Sequence, residues 1–270
     1  MVSPQSDLHF FEDVDPDRMN VGGGHSGEVG KARYEQLIYH TIKQHKFMST
    51  RFHIPEFHLL LNGDYMVGKE MHSPDSDESV ALSPLREMRE VTSIFKDGIQ
   101  FLRENIDADF KVTCVPGNHG RAGDKRFTKE VEYNYEHFVH LALADHFSGE
   151  DRIQFDVTPH VHKFVDMGGV MVGVIHGDPQ LKGGDRLPAS CYKTWRQLRD
   201  LEPSMQFFCA GHVHQDFCVP EVCNISGAMV SYNEFAQRYM MRPATPSQSG
   251  FLVSHDDKRM GMRWRYWFDE

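Results

Sequence analysis

Four apolar, strand-like runs each end in side chains that can bind metals or move protons. Lys111-Val112-Thr113-Cys114-Val115 leads into Pro116-Gly117-Asn118-His119-Gly120-Arg121, and Leu59-Leu60-Leu61 into Asn62-Gly63-Asp64. Val170-Met171-Val172-Gly173-Val174-Ile175 leads into His176-Gly177-Asp178, and Phe207-Phe208-Cys209-Ala210 into Gly211-His212-Val213-His214. Such runs read as short buried strands, and Gly or Pro-Gly closes each in a tight turn. Polar residues at the C-terminal mouths of strands are where open α/β sheets bind ligands.

Asp64, Asn118, His176, His212 and His214 supply one carboxylate, one amide oxygen and three imidazoles. A mixed oxygen and nitrogen set suits manganese, iron, zinc, nickel or cobalt; it argues against calcium, and magnesium is not favoured either. A carboxylate can bridge two ions, and two ions about 4 Å apart can hold a hydroxide and neutralise phosphate oxygens during in-line attack. His119, beside Asn118, could give a proton to a departing alkoxide, against the plainer reading of a surface or structural histidine. Arg121 could grip a phosphate oxygen through its planar fork, although a solvated arginine after a turn is nearly as common.

The elements that must position these groups follow from periodicity. A helix is predicted from Glu28 to Lys46, with Ala32, Leu37, Ile38 and Ile42 facing inward, and a strand from Phe57 to Leu61 delivers Asp64. Pro84 opens a second helix to about Asn105, whose buried stripe is Leu85, Met88, Val91, Ile94, Phe95, Phe101 and Leu102. Phe110 to Val115 is the next strand, and this alternation is that of parallel strands joined by crossover helices. Val131 to Phe147 reads as a helix and Ser190 to Leu201 as a shorter one. The runs at 153–157, 161–164 and 170–175 read as a meander or hairpin turned at Gly168-Gly169. Short strands at 222–225, 250–254 and 262–268 close the chain. Residues 11–30, rich in Asp, Gly and Pro, read as a surface loop, as do Lys69 to Ser79 and Lys182 to Asp185.

With 270 residues and 40% hydrophobic content the chain can bury a large core, so one domain over 1–270 is expected. The formal charge of −10 makes the whole molecule a poor electrostatic trap for nucleic acid, so a phosphate substrate must be drawn by local charge. Arg121, Lys125, Arg126 and Lys129 form one basic cluster that could track a nucleic-acid backbone, with a solvated helix start as the plainer reading. Five Cys is an odd number, and Cys114 and Cys209 sit within apolar runs, which fits reduced thiols. Cys218 and Cys223 are spaced too loosely for half of a zinc site and read as two unrelated thiols. With no signal peptide and no apolar run of membrane length, a cytoplasmic protein without membrane attachment is expected.

These blocks resemble those of the calcineurin-like metallophosphoesterase superfamily: an Asp-x-His, a Gly-Asp, a Gly-Asn-His, a lone His and a Gly-His-x-His. Here they read Asp7-Leu8-His9, Gly63-Asp64, Gly117-Asn118-His119, His176 and Gly211-His212-Val213-His214, in the family's order across nearly the whole chain. The resemblance implies a four-layered α/β/β/α sandwich of two mixed β-sheets flanked by helices, with two divalent metals, manganese first among the candidates. It implies that Asp7, His9, Asp64 and His214 hold the first ion. Asp64 bridges to the second, completed by Asn118, His176 and His212, with His119 as proton donor. An extended backbone at 212–214 would turn Val213 away and let the two histidines serve different ions. Asn224 to Gly227 is similar to the strand that follows the last block in many such sites.

Three departures bear on function. Family members usually have a buried strand before the Asp-x-His; here only five residues without an apolar run precede Ser6-Asp7, and the expectation is a missing first strand. Protein phosphatases and many exonucleases of the superfamily carry an Asp three residues beyond the Gly-Asp carboxylate, which can orient the catalytic His. Val67 stands there, which demotes a protein phosphatase. Gly120 follows Gly-Asn-His in place of a common acidic residue, and the wording is similar to phosphoesterases of phage genomes and their bacterial hosts, which would place the protein in a host cytoplasm. The implied activity is hydrolysis of a phosphodiester or phosphomonoester, a nuclease or phosphodiesterase before a phosphatase. The competing expectation is a non-catalytic binding or scaffold protein with an incomplete first metal site. An amidohydrolase is disfavoured because its His-x-His usually comes early. Asp13 to Gly30, Glu70 to Ser79 and Lys182 to Pro188 are candidate lids over the site.

Overall fold

The computed structural model of the chain describes residues 1–68, 82–123, 131–230 and 232–268. The expected loop from Lys69 to Ser79 and the basic residues Lys125, Arg126 and Lys129 lie outside them. In chain order the strands are β1 (Val2–Gln5), β2 (Glu56–Leu61), β3 (Asp109–Cys114), β4 (Ile153–Asp156), β5 (His162–Asp166), β6 (Met171–Ile175), β7 (Met205–Ala210), β8 (Phe217–Val219), β9 (Cys223–Ile225), β10 (Ser247–Ser254) and β11 (Arg259–Trp267). The helices are α1 (Gly27–Ser49), α2 (Pro84–Asn105), α3 (Tyr135–His146), α4 (Leu187–Leu201) and the short α5 (Glu234–Arg238).

One sheet runs β11-β10-β1-β2-β3-β4 and the other β5-β6-β7-β9-β8. In the first, β1 to β4 are parallel and β10 and β11 antiparallel; in the second, β6, β7 and β9 are parallel between antiparallel edges. Strand alternation sorts the core into three layers. Phe57, Leu59 and Leu61 of β2 and Phe110, Val112 and Cys114 of β3 pack under α1, α2 and α3. Leu60 points the other way, meeting Val172 and Val174 of β6 and Phe207 of β7 between the sheets. Phe208 and Ala210 pack under Cys191 and Leu198 of α4. The result is the four-layered α/β/β/α sandwich of two mixed sheets.

Several expectations are corrected. A strand does precede Asp7: β1 is buried throughout and lies parallel to β2, Val2 opposite His58 and Gln5 opposite Leu61. The runs after residue 153 are not one meander. β4 joins the first sheet beside β3, and only β5 and β6 form the hairpin turned at Gly168-Gly169. The helix expected from Val131 starts as a 3-10 turn (Val131–Tyr133), because the Asn134 side chain caps a new start by accepting from the Glu136 N–H. Ala32, Leu85 and Phe101 are exposed; the buried stripe of α2 keeps Val91, Phe95 and Leu102, with Met88 and Ile94 partly buried beside it, and adds Glu87 and Ile99. Residues 11–30 are more than a surface loop, since Phe11, Val14 and His25 are buried and Val14 bridges His25.

Among the described residues no helix is long and apolar enough to cross a membrane. The five cysteines are free thiols, and none belongs to a metal-binding group among the described residues.

Candidate metal centre

Five parallel strands stop at one rim of the sandwich. Asp7 follows β1, Asp64 follows β2, Asn118 follows β3, His176 follows β6 and His212 follows β7. Each polar pair thus sits where the sheet's backbone hydrogen bonds run out, the position predicted for a ligand site.

The turns approach so closely that two glycines are obligatory. A Cβ on Gly63 would stand 2.2 Å from the Gly117 nitrogen, and one on Gly117 would stand 2.1 Å from Asp64 Oδ1. The Gly of Gly-Asp and the Gly of Gly-Asn-His are there because the two turns cross.

Asp7 (φ 54°), His9 (39°), Asp64 (57°), His212 (72°) and His214 (53°) all adopt left-handed backbone conformations. Such conformations cost non-glycine residues about 1 kcal/mol or more each and concentrate where structure serves a site. The extended backbone expected at 212–214 is therefore corrected: two left-handed turns, not strand alternation, aim the two imidazoles.

The side chains fall into overlapping groups whose ligand atoms lie within 4.8 Å of one another: Asp7, His9 and His214; His9, Asp64 and His119; Asp64, His176 and His212. His9 Nε2 lies 3.2 Å from His214 Nε2, and His214 Nε2 lies 3.4 Å from Asp7 Oδ1. On the other side, His176 Nε2 stands 2.9 Å from Asp64 Oδ2 and 3.0 Å from Asn118 Oδ1. Asp64 groups with His176 and His212 on one side and with His9 and His119 on the other, and His9 links it to Asp7 and His214. Asp7, Asp64, Asn118 and His176 are buried, whereas the His214 side chain is 34% exposed and opens the site to solvent.

The arrangement fits a divalent cation on two grounds. First, His176 Nδ1 is 2.8 Å from the Asn62 carbonyl, which holds a proton on Nδ1 and aims Nε2 at the carboxylate and amide oxygens, where a cation could take the place of the Nε2 proton. Second, the electrostatics are those of a site that needs positive charge. Burial pushes the Asp7 carboxyl up to about 7, with Asp64 adding to it and His176 opposing. Burial also opposes charge on His176, but Asp64 and Asp7 outweigh it and push the imidazole up to about 10. His212, half-buried and beside that cation, is pushed down to about 3, first by desolvation. In the metal-free chain a proton on His176 does part of what a cation would do.

His119 is held differently. Its Nδ1 is 2.7 Å from the Val67 carbonyl, its backbone N–H donates to Asp64 Oδ1 at 2.9 Å, and its Nε2 is 4.0 Å from Asp64 Oδ2. The missing carboxylate three residues after Asp64 is thus matched by a main-chain carbonyl at the same residue. Arg121 does not point freely at the site; its guanidinium pairs with Asp178, just after His176.

Sequence reasoning missed the buried carboxylates around these turns. Glu136 of α3 accepts from the N–H groups of Asp64, Tyr65, Met66 and Gly117. Glu87 of α2 accepts from Val67 at 2.7 Å, and burial pushes it up to about 7. Glu12 accepts from Asn233 and lies 3.9 Å from His9 Nδ1. One signal was available: Glu136, Val139, His140 and Leu143 share helical spacing, so a carboxylate stands on the buried stripe of α3.

No family model matches the chain, and no curated protein matches it. Among solved structures it is similar to a Vps29 single mutant from Entamoeba histolytica (13% identity, 99% of each chain, TM-score 0.40). Vacuolar protein sorting 29 from Cryptosporidium parvum is another (14% identity, 99% of this chain and 97% of that one, TM-score 0.38). A third is a predicted phosphoesterase from Streptococcus pneumoniae (10% identity, 99% of this chain and 97% of that one, TM-score 0.33).

Proposed function

We propose that the chain is a metal-dependent phosphoesterase of the calcineurin-like kind. Asp7, His9, Asp64 and His214 would hold one divalent ion, and Asp64, Asn118, His176 and His212 a second. The observation that carries this reading is the convergence of two donor groups on a shared Asp64, with the His176 proton parked on a carbonyl so that Nε2 faces inward. Manganese is the first candidate on donor type, with iron, zinc, nickel or cobalt behind it.

Bound there, the ions would supply Lewis acidity toward phosphate oxygens and a nucleophile at neutral pH. The chain's own residues do the rest. His119 donates from Nδ1 to Val67, which leaves Nε2 facing the site, from which a protonated ring delivers a proton to the departing alkoxide. Arg121, braced by Asp178, would meet a non-bridging phosphate oxygen at the rim. A phosphodiester, including that of nucleic acid, is preferred over a phosphoprotein because Val67 departs from the protein phosphatase pattern. The phage-type wording around Gly120 is consistent with that preference.

The competing reading of a scaffold with an incomplete first site drew its support from a missing first strand. β1 removes that support, since it carries Asp7 and His9 to His214.

Purified protein loaded with manganese is expected to hydrolyse bis-p-nitrophenyl phosphate faster than p-nitrophenyl phosphate, and EDTA to stop both reactions. A protein shown to hold its ions that leaves both esters intact is not a phosphoesterase.

A further inference from the structure

We propose that Glu136 is the positioning residue that sets the Asp64 turn against the Asn118–His119 turn, an assignment that rests on the metal-site reading above. Glu136 lies in the first turn of α3 and is fully buried. Its Oε1 accepts from the Tyr65 N–H at 2.6 Å and the Met66 N–H at 3.3 Å. Its Oε2 accepts from the Gly117 N–H at 2.7 Å and the Asp64 N–H at 3.1 Å. One carboxylate therefore spans both turns.

Successive N–H groups around a left-handed residue form an anion-binding concavity, and Asp64 is that residue. The protein fills the concavity with its own side chain. Gly120 makes the room: a Cβ there would stand 2.7 Å from Glu136 Cγ and 2.2 Å from Asn134 Oδ1. Asn134 joins the device, donating from Nδ2 to the Gly117 carbonyl at 2.7 Å. Packing alone does not account for a carboxylate here, because burying one costs several kcal/mol unless charge-assisted hydrogen bonds offset it. Its neighbours on the same stripe, Val139 and Leu143, fill the core without that cost.

Glu136→Gln separates geometry from bulk. The amide keeps the size and one acceptor oxygen but turns an NH2 toward two N–H donors, so one turn loses its anchor. Val139→Ala, on the same helix and in the same core, is the control for destabilisation alone.

Two measurements on the full chain decide the matter. In metal-free protein, amide exchange followed by NMR is expected to accelerate about tenfold or more at Asp64, Tyr65, Met66 or Gly117 in Glu136→Gln, as loss of a charge-assisted bond implies. It stays at the wild-type value at those amides in Val139→Ala. In a manganese titration, Glu136→Gln is expected to weaken binding about 10- to 100-fold, the usual cost of losing an outer partner of a ligand. Val139→Ala keeps the wild-type Kd.

Unchanged exchange together with an unchanged Kd in Glu136→Gln overturns the assignment, as does an equal loss in Val139→Ala. If Glu136→Gln gives no folded far-UV spectrum, Glu136→Asp, which keeps the charge and shortens the reach, takes its place with the same expected directions. If wild-type protein binds no manganese, the metal reading fails, while the exchange measurement still decides whether Glu136 ties the turns.

Discussion

His119 carries the sharpest prediction at the level of single residues, because its two nitrogens have different partners. With Nδ1 held by the Val67 carbonyl, only Nε2 can serve a leaving group. His119→Asn keeps a donor near Val67 and removes the titratable proton. On an alkyl phosphodiester, kcat is expected to fall about 10²- to 10⁴-fold, the range for loss of a general acid. On a p-nitrophenyl ester the fall is smaller, because that leaving group departs without a proton, and manganese content is unchanged. Equal losses on both esters, measured side by side, would mean that His119 orients and does not protonate. The proposed ligand residues were legible in the sequence because metal chemistry needs particular side chains, and Asp64, Asn118, His176 and His212 each stand beside a glycine at a strand end. Glu136 and Glu87 were not. Their partners are backbone N–H groups, which every residue but proline offers, so no motif marks them.

At the level of elements, β2, β3 and α2 were readable from periodicity, whereas β1 was not. Val2–Gln5 is short, mostly polar and contains Pro4, a residue normally kept out of central strands. It is tolerated because β1 meets β10 in register only at Val2 opposite Phe251, while β2 runs alongside throughout. The inward spacing of α2 was misjudged at Leu85 and Phe101 because amphipathic residues such as Glu87 take the buried face when a backbone partner waits there. Phe95, at the centre of that face, meets the rings of Phe10, Tyr34 and Tyr65 edge-on at 4.8 to 5.7 Å. Tyr65 in turn accepts from the Gly63 N–H at 2.7 Å through its hydroxyl, so α2 supports the Asp64 turn from beneath. Phe95→Ala is expected to cost about 3–5 kcal/mol of stability, the range for removing a buried aromatic ring. Urea denaturation monitored by circular dichroism checks it, and a cost near zero would mean that the cluster repacks.

For the molecule as a whole, acid sensitivity follows from the imidazoles kept neutral inside the layers. His58 of β2 is buried, and burial pushes it down to about 4, with Glu56 opposing at 3.0 Å. His140 of α3, packed against Tyr65, is held well below the ordinary range by burial. A folded pKa below the unfolded value of about 6.5 means that the unfolded chain binds more protons between those two values. The stability these groups contribute is whole above that window and is lost as pH falls through it. Glu87 acts in the opposite sense: raised to about 7, it binds more protons folded than unfolded and loses its contribution as pH rises toward that value. The total pH profile therefore mixes opposed slopes, and a difference between two proteins is the cleaner measure. In EDTA, the stability gap between wild type and His58→Gln is expected to shift by about 2–3 kcal/mol in favour of the variant between pH 7 and pH 4.5, at about 1.4 kcal/mol per unit of pKa displacement. Urea titrations at the two pH values measure that gap, and a gap that stays constant would show that His58 charges as readily in the folded chain as in the unfolded one.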